Sequence, residues 1–511
     1  MVDHAGAVTG RQATGAENAR GPVLETRSID YVPQSERHGR AWHQAPFWFT
    51  GQFVPTTMVV GFAGPVLGLS IGWSIVATVL GILFGTCFMA FHANQGPTMG
   101  LPQMIQSRAQ FGTRGALVPM LAVICVYIGF SAFGVLLASQ VLESVLPGSS
   151  TVWAVVIVLL ATGVAIVGYD LLHTVLRLLP YLVVPMFAIL TVLALIHLEP
   201  HPVEHSAAFT PAAALAQFVA AAGYQLGYAV YVSDYSRYLP ADTSERGVIG
   251  WTYAGAALSA IWLMVLGNFI AGSVPVPDAL VNLQDIGDTL FDGFGKTAVV
   301  AVLVPSAIAV MGVNLYGAML SGLSIVQAFR PITLTLRTRV TGIVAGAAVA
   351  LAVAEGLPSR YLGSFNDFIT LILYVLAPWT AVNLIDYYFV RRGHYAITEI
   401  FSPNSIYGRW GWRGLLSYAL GVAALVPFMV TGFYTGPMVD TLDGADIAFV
   451  VGLVVSGAAY WLTTRGLDLT AEQQAVERSK LLLDGTDAVA RSRPRAGGWS
   501  RPDRRGAGGR W

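Results

Sequence analysis

The fold is decided by one stretch, Phe49-Thr50-Gly51-Gln52-Phe53-Val54-Pro55-Thr56-Thr57. It lies inside an apolar block, residues 46–69, that is long enough to cross a bilayer as a helix, which takes about 20 residues. Pro55 has no amide hydrogen and displaces the carbonyl four residues before it. Because a helix in lipid has to satisfy its own backbone, the freed carbonyls around Gln52 and Thr57 form a polar notch at mid-membrane, unless Pro55 only kinks the helix.

This block is one of twelve. Hydrophobic residues make up 55% of the 511-residue chain and charged residues 11%, which is far from the balance of a globular protein. The sequence therefore predicts an all-α polytopic membrane protein with twelve transmembrane helices. The predicted spans are residues 46–69, 71–91, 116–145, 152–168, 175–197, 215–232, 248–273, 297–326, 340–355, 365–390, 415–433 and 447–462.

Basic residues fall almost wholly in every second connection, which places them on one side of the membrane. One side receives only Lys296 and Arg360 between spans. Lysine and arginine resist translocation, so the other, arginine-rich side is predicted to be cytoplasmic, and both basic termini lie there too. The arginines on that side are Arg108, Arg114, Arg177, Arg237, Arg246, Arg330, Arg337, Arg339, Arg391, Arg392, Arg409 and Arg413.

A second interruption is predicted in the sixth span, at Ala221-Ala222-Gly223-Tyr224-Gln225-Leu226-Gly227-Tyr228. Glycines four apart either break the helix or form a close-packing face. Spans one and six each lead a group of five spans, and the two groups start on opposite sides. Paired broken helices in inverted halves indicate a midplane substrate site in a secondary transporter. Half-helix ends supply dipoles without charged side chains, which favours a small, neutral, polar substrate.

Aromatic and amide side chains lie near both interruptions. Two facing aromatic rings hold a planar substrate, or else they only pack. Amides read the edge of such a ring or pair across helices, since an unpaired buried amide is costly. The aromatic candidates are Tyr127, Phe130, Tyr224 and Tyr228. The amide candidates are Gln52, Gln140, Gln225 and Asn314.

Several classes of function are disfavoured. The chain has no GxxxxGK[ST] pattern, which argues against direct ATP drive. Cys87 and Cys125 lie inside predicted spans, so neither a disulfide framework nor a metal site is expected. The spans contain no serine–lysine pair, no His-x-x-x-His pattern and no facing aspartates, so the protein is not expected to be an enzyme. The expected partners are a small molecule and the bilayer, without a cofactor, nucleic acid or required protein partner.

Five runs of sequence resemble the nucleobase–cation symporter family, and within it the bacterial purine–cytosine permease group. The runs are Gly96-Pro97-Thr98-Met99-Gly100-Leu101-Pro102-Gln103-Met104-Ile105-Gln106-Ser107-Arg108-Ala109-Gln110-Phe111-Gly112, Tyr127-Ile128-Gly129-Phe130, Tyr231-Val232-Ser233-Asp234-Tyr235-Ser236-Arg237-Tyr238-Leu239-Pro240, Asn314-Leu315-Tyr316-Gly317 and Asp386-Tyr387-Tyr388-Phe389-Val390-Arg391-Arg392-Gly393.

The resemblance implies a LeuT-like fold, a five-plus-five inverted repeat with two additional C-terminal helices. The halves are residues 46–197 and 211–390, followed by 391–464. A polar N-terminal tail, 1–45, and a basic, disordered tail, 465–511, are both expected to be cytoplasmic. The implied activity is alternating-access uptake of a nucleobase across the cell membrane, coupled to Na⁺ or H⁺.

The resemblance also implies which residues hold the substrate. By position, Phe130 and Tyr228 sandwich the ring. Gln52, the Gly227 backbone and Asn314 contact the ring's edge. Gly134 replaces the polar residue that family members carry one turn after the span-three aromatic, so that hydrogen bond is missing.

The coupling ion is a separate expectation. Sodium-dependent relatives use two hydroxyls on span eight, but Ala309-Val310-Met311-Gly312-Val313 has none. The carbonyls of Phe53 and Ala309 with Thr57 make an incomplete oxygen shell for a hard cation. H⁺ is therefore favoured over Na⁺.

The sequence thus predicts import of a purine or cytosine-like base by cation symport. One alternative is a transporter of the same fold for another solute, such as allantoin, hydantoin, uracil, a vitamin or an amino acid. A non-transporting membrane receptor is an alternative of another class. A channel is disfavoured because no repeated polar filter is present.

Overall fold

The computed structural model describes residues 29–492, apart from 168, 200–208, 274–294, 331, 333–334, 358–361 and 403. The described chain is almost wholly helical, with a short antiparallel hairpin of β1 (Val430–Thr431) and β2 (Tyr434–Thr435). The helices are α1 (Gln44–Gly51), α2 (Pro55–Val60), α3 (Ala63–Val66), α4 (Ile71–Ala93), α5 (Gln95–Met99), α6 (Gln103–Gln106), α7 (Arg108–Phe111), α8 (Leu117–Val145), α9 (Ser150–Val167), α10 (Tyr169–His197), α11 (Pro211–Gly227), α12 (Val232–Ser236), α13 (Glu245–Ser273), α14 (Gly295–Phe329), α15 (Leu336–Gly356), α16 (Leu362–Ile385), α17 (Trp412–Leu425), α18 (Ala448–Thr464) and α19 (Leu469–Ser492).

Helices of membrane length dominate the described residues. Eight are long and apolar enough to cross a bilayer, or up to nine if α18 and the first part of α19, which meet at 92°, form one span. The segment Trp412–Phe428 is apolar but shorter. The architecture is that of a multi-pass helical membrane protein. The eight are Ile71–Met99, Leu117–Val145, Ser150–Val167, Leu179–Ile196, Glu245–Ser273, Val304–Phe329, Leu336–Gly356 and Gly363–Val390.

The first predicted span is broken rather than kinked. Helix α1 ends at Gly51, and Val54 has the extended backbone angles φ −134° and ψ 150°. Pro55 then occupies the first turn of α2, where its missing amide hydrogen is harmless. The interruption predicted around Pro55 is therefore present, and it lies at residues 52–54.

The interruption of the sixth span lies later than expected. Helix α11 continues through Gly223 and ends at Gly227, and a turn over residues 228–231 leads into α12. A methyl group on Gly223 would lie 2.6 Å from the Ile369 carbonyl oxygen. Gly223 therefore serves close packing of α11 against α16, and only Gly227 adjoins the break.

Close helix crossings position the broken first span. A methyl group on Gly61, just after α2, would lie 2.0 Å from the Met264 carbonyl oxygen. One on Gly267 would lie equally close to the Met58 carbonyl oxygen. Each glycine thus faces a backbone carbonyl of the other helix, so the backbones of α2 and α13 are in direct contact.

The C-terminal prediction needs a correction. Residues 465–511 were expected to form a disordered tail, but Leu469–Ser492 is helix α19. Ala475 and Val476 are buried in the core cluster. Its apolar face packs on the body, whereas residues 493–511 lie outside the described part of the chain.

Candidate functional site

A cavity opens where the two broken helices meet α8 and α14. It encloses roughly 1040 Å³ of space, including solvent at its mouth. Phe53, Phe130, Tyr224, Tyr228 and Asn314 are among its lining residues. Among the described residues that line it, none carries a formal charge.

Side chains satisfy the backbone at the first break. The Thr57 hydroxyl donates a 2.6 Å hydrogen bond to the Gln52 carbonyl oxygen. The Gln52 amide donates to Gln225 Oε1 at 2.7 Å, and the Gln225 amide donates to Thr86 at 2.8 Å. Gln52 does not line the cavity, so pairing across helices describes its amide nitrogen better than contact with a substrate.

The two predicted sandwich residues, Phe130 and Tyr228, both line the cavity, and Tyr224 lies beside each of them. The Tyr224 ring is perpendicular to Phe130 at 5.5 Å between centroids and lies 5.6 Å from Tyr228. The Tyr228 hydroxyl donates to the Tyr224 oxygen at 3.2 Å, and the Tyr224 hydroxyl is 2.6 Å from that of Thr57. These contacts form a chain of hydroxyl groups that runs from Tyr228, at the break in the sixth span, to Thr57, beside the break in the first span.

Asn314, one of the residues predicted to contact the substrate's edge, has a side-chain NH₂ group that can still donate a hydrogen bond. It lines the cavity, is 4% exposed, and its Nδ2 has no hydrogen-bond partner in the structure. Gly227 does not line the cavity but adjoins it, since a methyl group there would lie 3.5 Å from the Phe130 ring.

The three residues predicted to bind a cation do not all lie in the cavity wall. Phe53 lines the cavity, whereas Thr57 and Ala309 are buried and do not. The Thr57 hydroxyl is already bonded to the Gln52 carbonyl oxygen. Among the described residues, no group of three or more His, Cys, Asp or Glu side chains is arranged to hold a metal ion.

An aromatic wall that was not predicted from the sequence lies on one side of the cavity. Phe47, Trp48, Tyr231 and Tyr235 line it, and the ring centroids of Phe47 and Tyr235 are 4.5 Å apart. Tyr231 lies in the turn before α12 and only Tyr235 is helical, so their four-residue spacing gave no helical-face signal in the sequence. Tyr127, by contrast, stacks on Tyr231 at 5.5 Å and does not line the cavity.

Residues 31–452 match the model of a family described as permeases for cytosine/purines, uracil, thiamine and allantoin. The chain belongs to this family. The resemblance found in the sequence is confirmed, and because members are permeases, the protein is a membrane transporter rather than an enzyme.

Individual relatives agree with this assignment. The putative purine-cytosine permease YxlA of Bacillus subtilis is 36% identical over 445 residues, 86% of this chain and 95% of that protein. The purine-cytosine permease FCY2 of Saccharomyces cerevisiae is 26% identical over 460 residues, 84% of this chain and 83% of that protein. The permease also shares the fold of Mhp1, a nucleobase-cation-symport-1 family transporter solved in a closed conformation with bromovinylhydantoin bound. That match has a TM-score of 0.72 at 17% identity and covers 90% of this chain and 99% of that one.

The permease also contains a buried ionic cluster away from the cavity. Asp386 is fully buried and accepts hydrogen bonds from Arg391, Tyr395, Tyr460 and Gln110, at 2.5 to 2.8 Å. Asp386 lies near the end of the predicted span 365–390, and nothing in the sequence predicted its burial. The four donors supply the hydrogen bonds that a buried carboxylate needs.

Arg391 connects this cluster to the C-terminal helix. Its guanidinium binds both carboxylate oxygens of Glu472, at 2.8 and 2.9 Å. Burial alone would lower the pKa of Arg391, but the Asp386 and Glu472 carboxylates raise it well above its ordinary value. Burial and the Asp386 charge likewise raise the pKa of Tyr395, so its hydroxyl remains a donor.

Asp234 and Arg237, from the run of residues 231–240 that resembles the family, lie in and beside α12. The Arg237 Nε donates to the Asp234 carbonyl oxygen at 3.2 Å. Asp234 Oδ1 accepts from the Gln103 backbone amide at 2.8 Å. Asp234 therefore ties α12 to the start of α6.

Proposed function

We propose that the permease imports a nucleobase, either a purine or a cytosine-like ring, by symport with H⁺. The observation that carries the proposal is an uncharged cavity at two helix breaks, with Phe130, Tyr228 and Asn314 in its wall. Family members and relatives named as purine-cytosine permeases support the same class of substrate.

The cavity offers both kinds of contact that a nucleobase needs. Phe130 and Tyr228 present aromatic faces on which a planar ring stacks. The Tyr224 hydroxyl and the free Asn314 amide supply polar groups for the ring's edge. Because no lining residue in the described part of the chain is charged, the substrate is neutral.

The choice of H⁺ over Na⁺ rests on the oxygen atoms near the first break. The Thr57 hydroxyl already donates to the Gln52 carbonyl oxygen, so that carbonyl is engaged within the protein. The facing part of α14, Ala309-Val310-Met311-Gly312-Val313, contributes no hydroxyl. A hard cation such as Na⁺ needs several oxygen ligands, and this site supplies few of them.

We also propose the finer topology. The permease has twelve transmembrane helices in an inverted five-plus-five repeat with two additional helices, and it lies in the cell membrane with both termini in the cytoplasm. The broken first and sixth spans support the repeat, and the one-sided arginines support the orientation.

Transport assays test the proposal directly. Proteoliposomes containing the full chain are given an imposed H⁺ or Na⁺ gradient and labelled cytosine, adenine, hypoxanthine, uracil, allantoin or hydantoin. We expect H⁺-driven accumulation of a purine or cytosine. If no planar ring accumulates under either gradient, the proposal is wrong, and accumulation driven by Na⁺ alone overturns the assignment of the ion.

The sandwich is tested by Phe130→Ala and Tyr228→Ala. Each removes one stacking face, worth about 0.5–1.5 kcal/mol beyond burial, so we expect substrate to bind roughly 2- to 10-fold more weakly. Calorimetric titration of purified protein measures the affinity. Phe389→Ala and Tyr181→Ala, at exposed positions, are the matched controls. Unchanged affinity in both cavity variants would remove the sandwich.

A further inference from the structure

A fully buried histidine lies at the end of the second span, away from the substrate cavity. His92 is in the last turn of α4 and inside the candidate span Ile71–Met99. Neither His92 nor the amide side chains around it, Gln95, Gln103 and Asn383, line the cavity. An ionisable side chain at membrane depth is costly, and in transporters such residues often form part of a proton path. This cluster is therefore a second polar site with its own chemistry.

Three side-chain amides form a directed chain of hydrogen bonds that starts at the His92 ring. Gln103 Nε2 lies 3.2 Å from His92 Nδ1 and also donates to Gln95 Oε1 at 3.1 Å. Gln95 Nε2 in turn donates to Asn383 Oδ1 at 2.6 Å. Because an amide NH₂ group only donates, His92 Nδ1 accepts, and the neutral ring carries its hydrogen on Nε2. Protonation of the ring therefore adds a hydrogen at Nδ1.

The chain can also run in the opposite direction. Gln103 Oε1 and Asn383 Nδ2 are buried, and neither has a hydrogen-bond partner in the part of the chain that the structure describes. Turning a side-chain amide over exchanges its oxygen and its NH₂ group in almost the same space. With all three amides turned, Asn383 Nδ2 donates to Gln95, and Gln95 donates to Gln103 Oε1. The same Gln103 oxygen then accepts the new hydrogen from His92 Nδ1.

The reversed chain keeps the same number of hydrogen bonds and uses both of the atoms that lack a partner in the first arrangement. Burying a polar group without a partner is costly, and a hydrogen bond to the charged form of a group favours that form. The cluster therefore offers partners to the neutral ring in one arrangement and to the protonated ring in the other.

An indole ring adds to the stabilisation of a positive charge. Trp379 stacks on His92 with 4.5 Å between ring centroids and 6° between planes. The Trp379 Nε1 donates to Ser107 Oγ at 3.0 Å, which fixes the orientation of the indole. A cation over the face of an indole is attracted by its π electrons. The stacking therefore favours the protonated ring over the neutral one.

No charged side chain among the described residues forms a hydrogen bond to the His92 ring. Asp234 instead accepts from the Gln103 backbone amide, and Tyr388 donates to the Phe91 carbonyl oxygen. Because an ion pair favours the charged form of a group, a ring without a carboxylate partner releases its proton more readily. The charged side chains on the surrounding elements are Arg108, Asp234, Arg237, Glu245, Arg246 and Asp386.

Helix α12 connects the histidine to the substrate cavity. Ser233 Oγ donates to the His92 carbonyl oxygen at 2.8 Å, and Ser236 Oγ donates to the next carbonyl oxygen at 2.6 Å. Tyr231 and Tyr235, in the same segment, line the cavity. Since one segment contacts both sites, a change at His92 alters the support of the cavity wall. Such a shared element is what a coupling free energy between two ligands requires.

We propose that His92 binds the coupled proton of the permease at Nδ1, and that reversal of the Gln103–Gln95–Asn383 chain stabilises the charged ring. The inference rests on the proposed function, because it names the residue that binds the H⁺ of the symport. The proton comes from water, adds to the Nδ1 lone pair and later returns to water, so no other bond forms or breaks. Imidazole suits this role because its charge changes in the physiological pH range.

Calorimetric titration of the purified full-length protein with cytosine and with hypoxanthine tests the proposal. Titration in two buffers of different ionisation enthalpy measures the protons taken up with each base. We expect the native protein to take up to about one proton per bound base. His92→Gln should bind the base without this uptake, because an amide has no basic lone pair. In proteoliposomes, the same variant should not accumulate the base under an imposed H⁺ gradient.

Two further variants make the result interpretable. His38→Gln, at an exposed position, is the matched control and should keep both the proton uptake and the accumulation. Gln103→Glu places a carboxylate beside His92 Nδ1, which favours the protonated ring. The pH at which proton uptake is half complete should therefore be higher in this variant. A purely structural role of the cluster would not move that pH, so this variant decides the question if His92→Gln does not fold.

The outcomes separate this inference from the proposed function. Unchanged proton uptake and accumulation in His92→Gln overturn the histidine site and leave H⁺ symport standing. An unchanged pH profile in Gln103→Glu likewise overturns it. Accumulation driven by Na⁺ alone in the native protein overturns the assignment of the ion and the histidine site together. If the native protein binds neither base, the proposed substrate fails and this site with it.

Discussion

At the scale of single residues, the most constrained group is the Asp386 carboxylate. It is fully buried and has four donors, one of which is the Arg391 guanidinium at 2.5 Å. Arg391 in turn is held by the two oxygens of Glu472. Removing one member of a buried ionic cluster leaves the others without compensation, which costs far more than the cluster contributes when intact.

Arg391→Met should therefore destabilise the permease by about 3–5 kcal/mol, because Asp386 and Glu472 become buried carboxylates without a cation. Thermal unfolding of detergent-solubilised protein, followed by size-exclusion chromatography, measures the loss. Arg392→Met is the control, since the neighbouring Arg392 is exposed and should show little change. Equal melting temperatures for the two variants would mean that the buried cluster does not support the fold.

Residue identity predicted part of the candidate site. Phe130, Tyr228 and Asn314 were assigned by position from the family resemblance, and all three line the cavity. The pairing of Gln52 with Gln225 was only one of two alternatives, because it depends on the register of helices 173 residues apart. Hydropathy carries no information about that register, and a buried amide looks the same in sequence whether it pairs or binds.

At the scale of elements, the close crossing of α2 and α13 fixes the first break in place. Gly61 and Gly267 each leave room for a carbonyl of the opposite helix. The unwound residues before α2 are then held by the Thr57 and Gln52 side chains. The break is thus secured by both packing and hydrogen bonds.

Gly61→Ala should be strongly destabilising, because the added methyl group would lie 2.0 Å from a backbone oxygen and the two helices would have to separate. The backbone angles at Gly61 suit alanine, so any loss reflects space alone. Gly72→Ala, on exposed helix with nothing within 4 Å, should instead gain up to about 1 kcal/mol from helix propensity. Melting temperatures of the two variants that change in the same direction would contradict this account.

Most elements were predictable from hydropathy, but their interruptions were only partly so. The span predicted at residues 116–145 is helix Leu117–Val145, since a long apolar run has no other way to satisfy its backbone in lipid. The break in the sixth span came one turn later than expected. Both positions are glycine, so residue identity alone does not say which of them adjoins the break, whereas the structure packs Gly223 closely against Ile369 inside the helix.

At the scale of the whole molecule, each end of the bundle is tied by a contact between distant segments. At one end, the Tyr374 hydroxyl on α16 donates to the Asp446 carboxylate, just before α18. The same hydroxyl accepts a hydrogen bond from the Val430 amide of the hairpin at 2.9 Å, and Asp367 accepts one from Gly432 at 2.7 Å. At the other end, Glu472 ties α19 to Arg391.

The Asp446 tie should make stability depend on pH. Burial raises the pKa of Asp446 to about 6, although the Tyr374 hydroxyl and the Ala448 amide favour the ionised form. The unfolded value is about 3.9, so the folded state holds the proton more tightly. The free energy of unfolding that tighter proton binding adds is present below about pH 4 and is lost as the pH rises to about 6.

The Asp446→Asn side chain cannot ionise. The melting temperature of this variant should therefore fall less than that of the native protein between about pH 4.5 and about pH 7, a range that spans the folded pKa of about 6. Thermal unfolding in detergent across this range measures the difference. Asp440→Asn, at an exposed position, should follow the native curve. Parallel curves for all three proteins would show that Asp446 does not carry the effect.

The contact between Arg391 and Glu472 has a consequence for biogenesis. The two residues are 81 positions apart, so a ribosome finishes α16 and releases Arg391 long before Glu472 emerges. Until then, the guanidinium lacks its second carboxylate and α19 cannot dock. The buried cluster of the nascent permease therefore stays incomplete until translation reaches α19, and a chain that stops before Glu472 leaves the Arg391 guanidinium without this partner.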